Sequence, residues 1–315
     1  MTHRISFRSY LTGAVAVAAL MINAPTATAQ TPPTPPTPEA QQSRVRAALD
    51  EVMAALDKSP KLKKMSAAKK RELVEFTLGN TLFVMAHEMG HVLISEMNLP
   101  TLGKEEDAAD SFAVLFALQL RSAFSERVLY EAAKGLVLSS FRDKQEGNAL
   151  AFYDEHGLDL QRAYSVVCLM VGSDPEKFKA LAKETKLPEE RQKSCVRDYK
   201  TSLWSWETVL KPYRRSADQP KVAISVEYQD DEDYAIQAGI LRKMRLLEAF
   251  AERAAENFAW PAPFAMVARS CGVPNATWNI GKKTITLCYE LLEEFSQLYQ
   301  GFARKLPTKK KTSKR

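Results

Sequence analysis

The stretch that most constrains this chain is Leu82–Met97, LFVMAHEMGHVLISEM. Leu, Phe, Val, Met, Ala and Ile cover almost the whole circumference of the helix it would form, and a helix apolar all round must be buried. Three ionisable residues are set into its middle: His87, Glu88 and His91. Helix positions four apart share a face, so His87 and His91 project side by side. Buried imidazoles need partners, and one metal ion would satisfy both. In the H-E-x-x-H spacing two histidines hold a metal and the glutamate of the same turn lies beside its open coordination position.

A motif this short recurs by accident, and the next segment strengthens it. Pro100 and Gly103 stop the first helix and turn the chain. KEEDAADSFAVLFALQL then reads as a second helix with Glu106 and Asp110 four apart on one face. From His91 to Met97 the first helix rises about 9 Å, and the connection from Asn98 to Lys104 reaches at most about 24 Å. The chain can therefore return and set Glu106 against the two histidines. Ala109, Ala113 and Ala117 lie near that face and admit a close approach to Gly90. Two histidines and one carboxylate are the three-ligand set of a catalytic zinc, Zn2+, with a fourth position open for water. Asp110 suits the carboxylate that accepts the second N–H of a ligand histidine. Glu105 and Asp107 read as an ordinary solvated first turn, where acids favour the helix N-terminus.

H-E-M-G-H followed by E-D-A-A-D resembles the gluzincin metallopeptidases, whose third ligand comes from an E-x-x-x-D helix. HEMGHVLI, LPTLGKEEDAADSFA, FYDEHGLDLQRAYSVVCLMVG and CGVPNATW with ITLCYE together resemble a bacterial family of unknown function described as metallopeptidases. The resemblance spans Leu73 to Tyr299. It implies a zincin-like pair of metal helices and a peptide or protein substrate. Asn275-Ala276-Thr277-Trp278 resembles the N-A-F-W edge strand with which thermolysin-like enzymes bind substrate, departing at Thr277. In those enzymes the sheet precedes the metal helix. Here it would follow, which implies a circular permutation with Asn275, Ala276 and Trp278 beside the metal. The competing reading makes Asn275 a turn residue and Trp278 core.

Taken in order, the chain begins with Arg4 and Arg8, an apolar run from Leu11 to Ile22, and Ala27-Thr28-Ala29. That pattern predicts a secretory signal peptide over 1–29, too short to span a bilayer. Residues 30–38 read as a proline-rich linker and 305–315 as a basic, disordered tail able at most to touch an anionic envelope surface weakly. We therefore expect an exported protein, periplasmic or secreted, with no transmembrane segment. The formal charge of +6 falls to +4 without the leader, and setting aside Arg304 and the tail leaves a body near −3. That is no nucleic-acid footprint.

The body, 39–304, divides into a helical part (39–215) and a sheet-containing part (216–304), predicting an α+β, mainly α architecture. Helices are expected at 39–56, from the N-cap Ser66 through 78, across the metal motif and its partner, and at 126–141, 158–172, 174–183 and 188–210, with Pro188 in a first turn. A strand is expected at 222–228, one helix at 235–258, strands at 264–270, 276–280 and 284–287 with Gly281 turning a hairpin, and a closing helix at 288–302. The even cysteine count in an exported chain predicts disulfides, with the local pairs Cys168–Cys195 and Cys271–Cys288 favoured. His156 is the one other histidine beyond the leader. It either lies in a solvated loop or stabilises the reaction's oxyanion, for which Tyr153 and Arg162 are alternatives. With Glu88 as general base the reading is a zinc-dependent peptide-bond hydrolase of the cell envelope. The alternatives are an inactive zinc-binding envelope module and a zinc hydrolase of a non-peptide amide such as cell-wall material.

Overall fold

The computed structural model describes residues 47, 50–57 and 62–305, with side chains as far as Phe302, all within the unit Gln42–Arg315. The expected signal peptide, the linker and all but the first residue of the basic tail lie outside the described residues. Residues 50–57 are helical, with Val52 and Leu56 buried.

Helix α1, Ala67–Glu96, is the spine. Its 30 residues rise about 45 Å. Ser66 caps it as expected, its hydroxyl accepting from the Lys69 amide at 3.4 Å. The expected pause after residue 78 is absent, and the helix runs unbroken through Gly79-Asn80-Thr81. Those residues serve packing. A Cβ at Gly79 would meet Glu131 Cβ at 2.8 Å. Asn80 is buried, but its amide donates to the carbonyls of Phe76 and Glu131 at 2.9 and 3.0 Å, so no donor is stranded.

Helices α2 (Glu105–Gln119), α3 (Ala123–Glu146), α4 (Asp159–Ser173), α5 (Lys179–Glu184) and α6 (Glu189–Leu210) complete the helical part. Pro188 is the capping residue of α6 and not part of its first turn. The helix expected at 174–183 shrinks to α5, because Asp174 ends α4 and turns its carboxylate onto the Lys177 amide at 3.0 Å. Cys168–Cys195 staples α4 to α6. Gly172 permits that approach, since a Cβ there would lie 2.1 Å from the Cys195 carbonyl oxygen.

The second part holds β1 (Ile224–Tyr228), α7 (Ala235–Met244), α8 (Leu246–Asn257), β2 (Phe264–Arg269), β3 (Ala276–Asn279), β4 (Thr284–Cys288) and α9 (Tyr289–Lys305). The strand order is β1-β2-β4-β3, with the first three parallel and β3 antiparallel at the edge. The fold is α+β and mainly α, as expected. The single helix expected at 235–258 is two, broken at Arg245, which has φ 49°. The cause is distant in sequence: the Tyr228 hydroxyl donates to Glu248 at 2.6 Å and accepts the Leu247 amide at 3.3 Å, relieving the break of an unpaired donor. In the β3–β4 turn the left-handed residue is Lys283, φ 51°, and not Gly281. Cys271–Cys288 ties the loop before β3 to the end of β4, so both expected disulfides form.

The sheet matters because of where β3 lies. It packs on the C-terminal half of α1, with Trp278 Nε1 donating to Ser95 Oγ at 2.7 Å and Lys283 paired with Glu96.

Candidate metal centre

The site is built where α2 crosses α1. Gly90 makes the crossing close, since a Cβ there would meet Ala109 Cα at 2.9 Å. One turn of α1 supplies His87 and His91, and the first turns of α2 supply Glu106 and Asp110. His87 Nε2 and His91 Nε2 are 3.0 Å apart and lie 3.0 and 3.4 Å from Glu106 Oε2. From the α3–α4 loop, His156 brings its Nε2 to 2.8 Å from the same oxygen. His87, Glu106 and His156 form a group able to share one ion, and His91 adjoins it.

The second nitrogens are also spoken for. His87 Nδ1 faces Asp110 Oδ1 at 2.8 Å, and His91 Nδ1 faces Glu105 Oε1 at 2.7 Å. Glu105 is thus a site residue that the sequence reading left in solvent. Its only sequence signal is its place one residue before Glu106. Arg162 is a further surprise. It was a candidate oxyanion donor, but its Nε and Nη2 grip Asp110 at 2.8 and 2.9 Å. Tyr153 is 93% exposed.

Charge follows from these contacts. Burial works against a charged His87, but Asp110 and Glu106 outweigh it and raise its pKa to about 9. Glu106 is held down to about 2, first by close contact with His87 and against the pull of burial. Asp110 is depressed although burial opposes this, chiefly because Arg162 and then His87 hydrogen-bond it. Burial raises Glu88, against the charges of His87 and His91 and the backbone amide of Trp278.

β3 therefore runs close to Glu88. Cys288 N–H donates to Asn275 C=O, so residues 275, 277 and 279 bond toward β4, and Ala276 and Trp278 turn their backbone groups outward. The Asn275 side chain accepts the Ala276 amide at 2.9 Å, as a turn residue does. The Ala276 amide is therefore engaged within the chain, and the carbonyls of Ala276 and Trp278 face outward as acceptors.

The donor set fits a metal ion. Glu106 Oε2 is buried, yet none of the surrounding imidazoles meets it with hydrogen-bond geometry. For nitrogen and oxygen ligands about 2.0–2.1 Å from a tetrahedral ion, neighbours stand roughly 3.3 Å apart. The separations of 2.8–3.4 Å around Glu106 Oε2 are close to that.

A family profile described as "Putative metallopeptidase", DUF4344, matches residues 46–210 and 226–314. The chain belongs to the DUF4344 family. Its matched residues include every group of the site just described. No curated protein and no solved structure matches it. A metallopeptidase family implies a metal and a peptide or protein substrate. The two disulfides are compatible with an exported protein, and no helix among the described residues is long and apolar enough to cross a membrane.

Proposed function

We propose that this DUF4344 chain is a zinc-dependent peptide-bond hydrolase of the cell envelope, gluzincin-like, holding zinc with His87, His91 and Glu106. The observation that carries the reading is the convergence of three imidazole nitrogens on one buried carboxylate oxygen, with Glu88 on the same turn of α1. Zinc supplies Lewis acidity toward the scissile carbonyl and makes water a nucleophile near neutral pH. Among the described residues Glu88 forms no ion pair with His87 or His91 although it lies near enough to feel their charge, which suits a base better than a ligand. Burial keeps its carboxylate ready to take a proton. Glu88 removes the proton of the attacking water and delivers it to the leaving amine. Asp110 and Glu105 fix the ring orientations of His87 and His91. The outward carbonyls of Ala276 and Trp278 accept amides of an extended peptide laid along β3, with Asn275 shaping the strand's start. A sheet that follows the metal helix in sequence yet packs beside it suits a circularly permuted zincin order.

The test is Glu88→Gln. It keeps the shape of the side chain, so zinc content measured by elemental analysis should stay near that of wild type. Hydrolysis of a diverse peptide library should fall by at least ~100-fold. Glu106→Ala should lose zinc and activity together. A zinc-replete wild type that cleaves no peptide overturns this in favour of a binding module, and a fully active Glu88→Gln overturns the role of Glu88 as general base. Chelator-sensitive cleavage of cell-wall amides alone would favour the non-peptide hydrolase.

A further inference from the structure

We propose that His156 is a fourth ligand of the metal, closing the site in its resting form. The proposal rests on the metallopeptidase reading of the site and concerns how access to it is governed. Three observations support it.

First, His156 Nε2 is the nitrogen nearest to Glu106 Oε2, at 2.8 Å, nearer than either histidine of the helix motif. Its ring stacks on that of His87 with centroids 5.7 Å apart. It therefore shares the ligand cluster and does not merely look into it.

Second, His156 repeats the arrangement of the other two. Each of the three imidazoles turns Nε2 to Glu106 and Nδ1 toward a carboxylate: Asp110 for His87 at 2.8 Å, Glu105 for His91 at 2.7 Å and, more loosely, Asp154 for His156 at 3.4 Å, its Oδ1 also accepting the His156 backbone amide at 2.8 Å. A carboxylate facing Nδ1 holds the proton there, which leaves Nε2 of a neutral ring with its lone pair outward. A lone pair binds a cation. It does not donate to an oxyanion, the role that the sequence offered this residue.

Third, the mount differs. His87, His91 and Glu106 stand on packed helices, whereas His156 rides the 147–158 loop, with its side chain 44% exposed. Lys104 Nζ fastens that loop by donating to the Asp154 carbonyl at 2.9 Å. Leu150, Phe152 and Tyr153 stand 59%, 77% and 93% exposed along it. A ligand on such a mount can leave while the other three stay. Release of His156 would free the position it held for the water that hydrolysis needs, with the exposed apolar side chains of the loop offering an incoming peptide its first contact.

The experiment compares wild type, His156→Ala and Glu106→Ala. Zinc affinity is measured by chelator competition, and the visible absorption of the Co2+-loaded protein is recorded with and without added imidazole. A side chain this exposed can be truncated without unfolding the core, and circular dichroism checks that. His156→Ala should weaken zinc by at least about tenfold, since even residues that only orient a ligand cost about 10–100-fold. It should also shift the cobalt spectrum, and free imidazole should shift it back. If His156→Ala matches wild type in affinity and spectrum while Glu106→Ala loses zinc, the fourth ligand is refuted and the metallopeptidase reading stands. If His156→Ala weakens zinc but wild type cleaves no library peptide, the ligand stands and the peptidase reading falls. A wild type that binds no metal removes both.

Discussion

Replacing Asp110 by Asn separates two things that this side chain does. Asp110 receives His87 Nδ1 at 2.8 Å and Arg162 at 2.8 and 2.9 Å, with its side chain 10% exposed and that of Arg162 16% exposed. Asparagine keeps one acceptor oxygen and puts an amide against one of these donors. It also leaves Arg162 a buried cation whose one further carboxylate within ion-pair distance, among the described residues, is Asp159 at 3.9 Å. Breaking a buried pair by removing one partner costs about 3–5 kcal/mol. The remaining Asp159 points to the lower end, about 3 kcal/mol. Zinc affinity should fall independently by about 10–100-fold, because His87 loses the group that orients it. The double variant Asp110→Asn with Arg162→Met removes the stranded cation. It should regain most of the lost stability and none of the zinc affinity. Urea unfolding of the metal-stripped protein and chelator competition measure the two quantities. A single variant within about 0.5 kcal/mol of wild type refutes the clamp. A double variant that recovers zinc affinity refutes the orienting role.

Other expectations follow from the same geometry. In the metal-free fold His87 has its pKa raised from 6.5 to about 9, so its contribution to stability is fully present below about pH 6.5 and lost as pH rises through about 9. Zinc must displace that proton, so affinity should climb about tenfold per pH unit across this window. A flat profile between pH 6.5 and 9 would show that His87 is not protonated there. Gly172→Ala forces a methyl onto the Cys195 carbonyl and should lower thermal stability by several kcal/mol, or prevent the Cys168–Cys195 bond from forming. A stable, fully oxidised variant would contradict the close α4–α6 contact. Gly90→Ala meets backbone at Ala109 and should loosen the α1–α2 crossing, seen as weaker zinc binding with little change in helix content. Unchanged zinc affinity would argue against that crossing setting the site.

Much of this was legible in the chain because its signals are local. H-E-x-x-H fixes two side chains by helix geometry alone, the alternation at 222–228 and the short apolar run at 264–270 mark strands, and cysteines 27 and 17 residues apart close within neighbouring elements. What escaped is long-range. Nothing near Gly79-Asn80 says that Glu131 will take the Asn80 amide and carry the helix through. Nothing in 235–258 says that a tyrosine from β1 will break it. Glu105 looked like an acid at a helix start because its histidine partner lies 14 residues earlier on another helix. The relation of Arg162 to Asp110 spans 52 residues and exists only after α4 has docked.

The position of β3 has a consequence in time. Synthesis runs from the N-terminus, and His87, His91, Glu106 and His156 are all made at least 120 residues before Ala276. The strand that packs Trp278 against Ser95 of the metal helix is then pinned by a Cys271–Cys288 bond, which forms in an oxidising environment. A chain still emerging, or still in a reducing environment, would have its metal ligands but not the finished wall beside them. Sequence order thus delays completion of the cleft wall until residue 288 has been made, and the disulfide delays it further until Cys271 and Cys288 meet an oxidising environment.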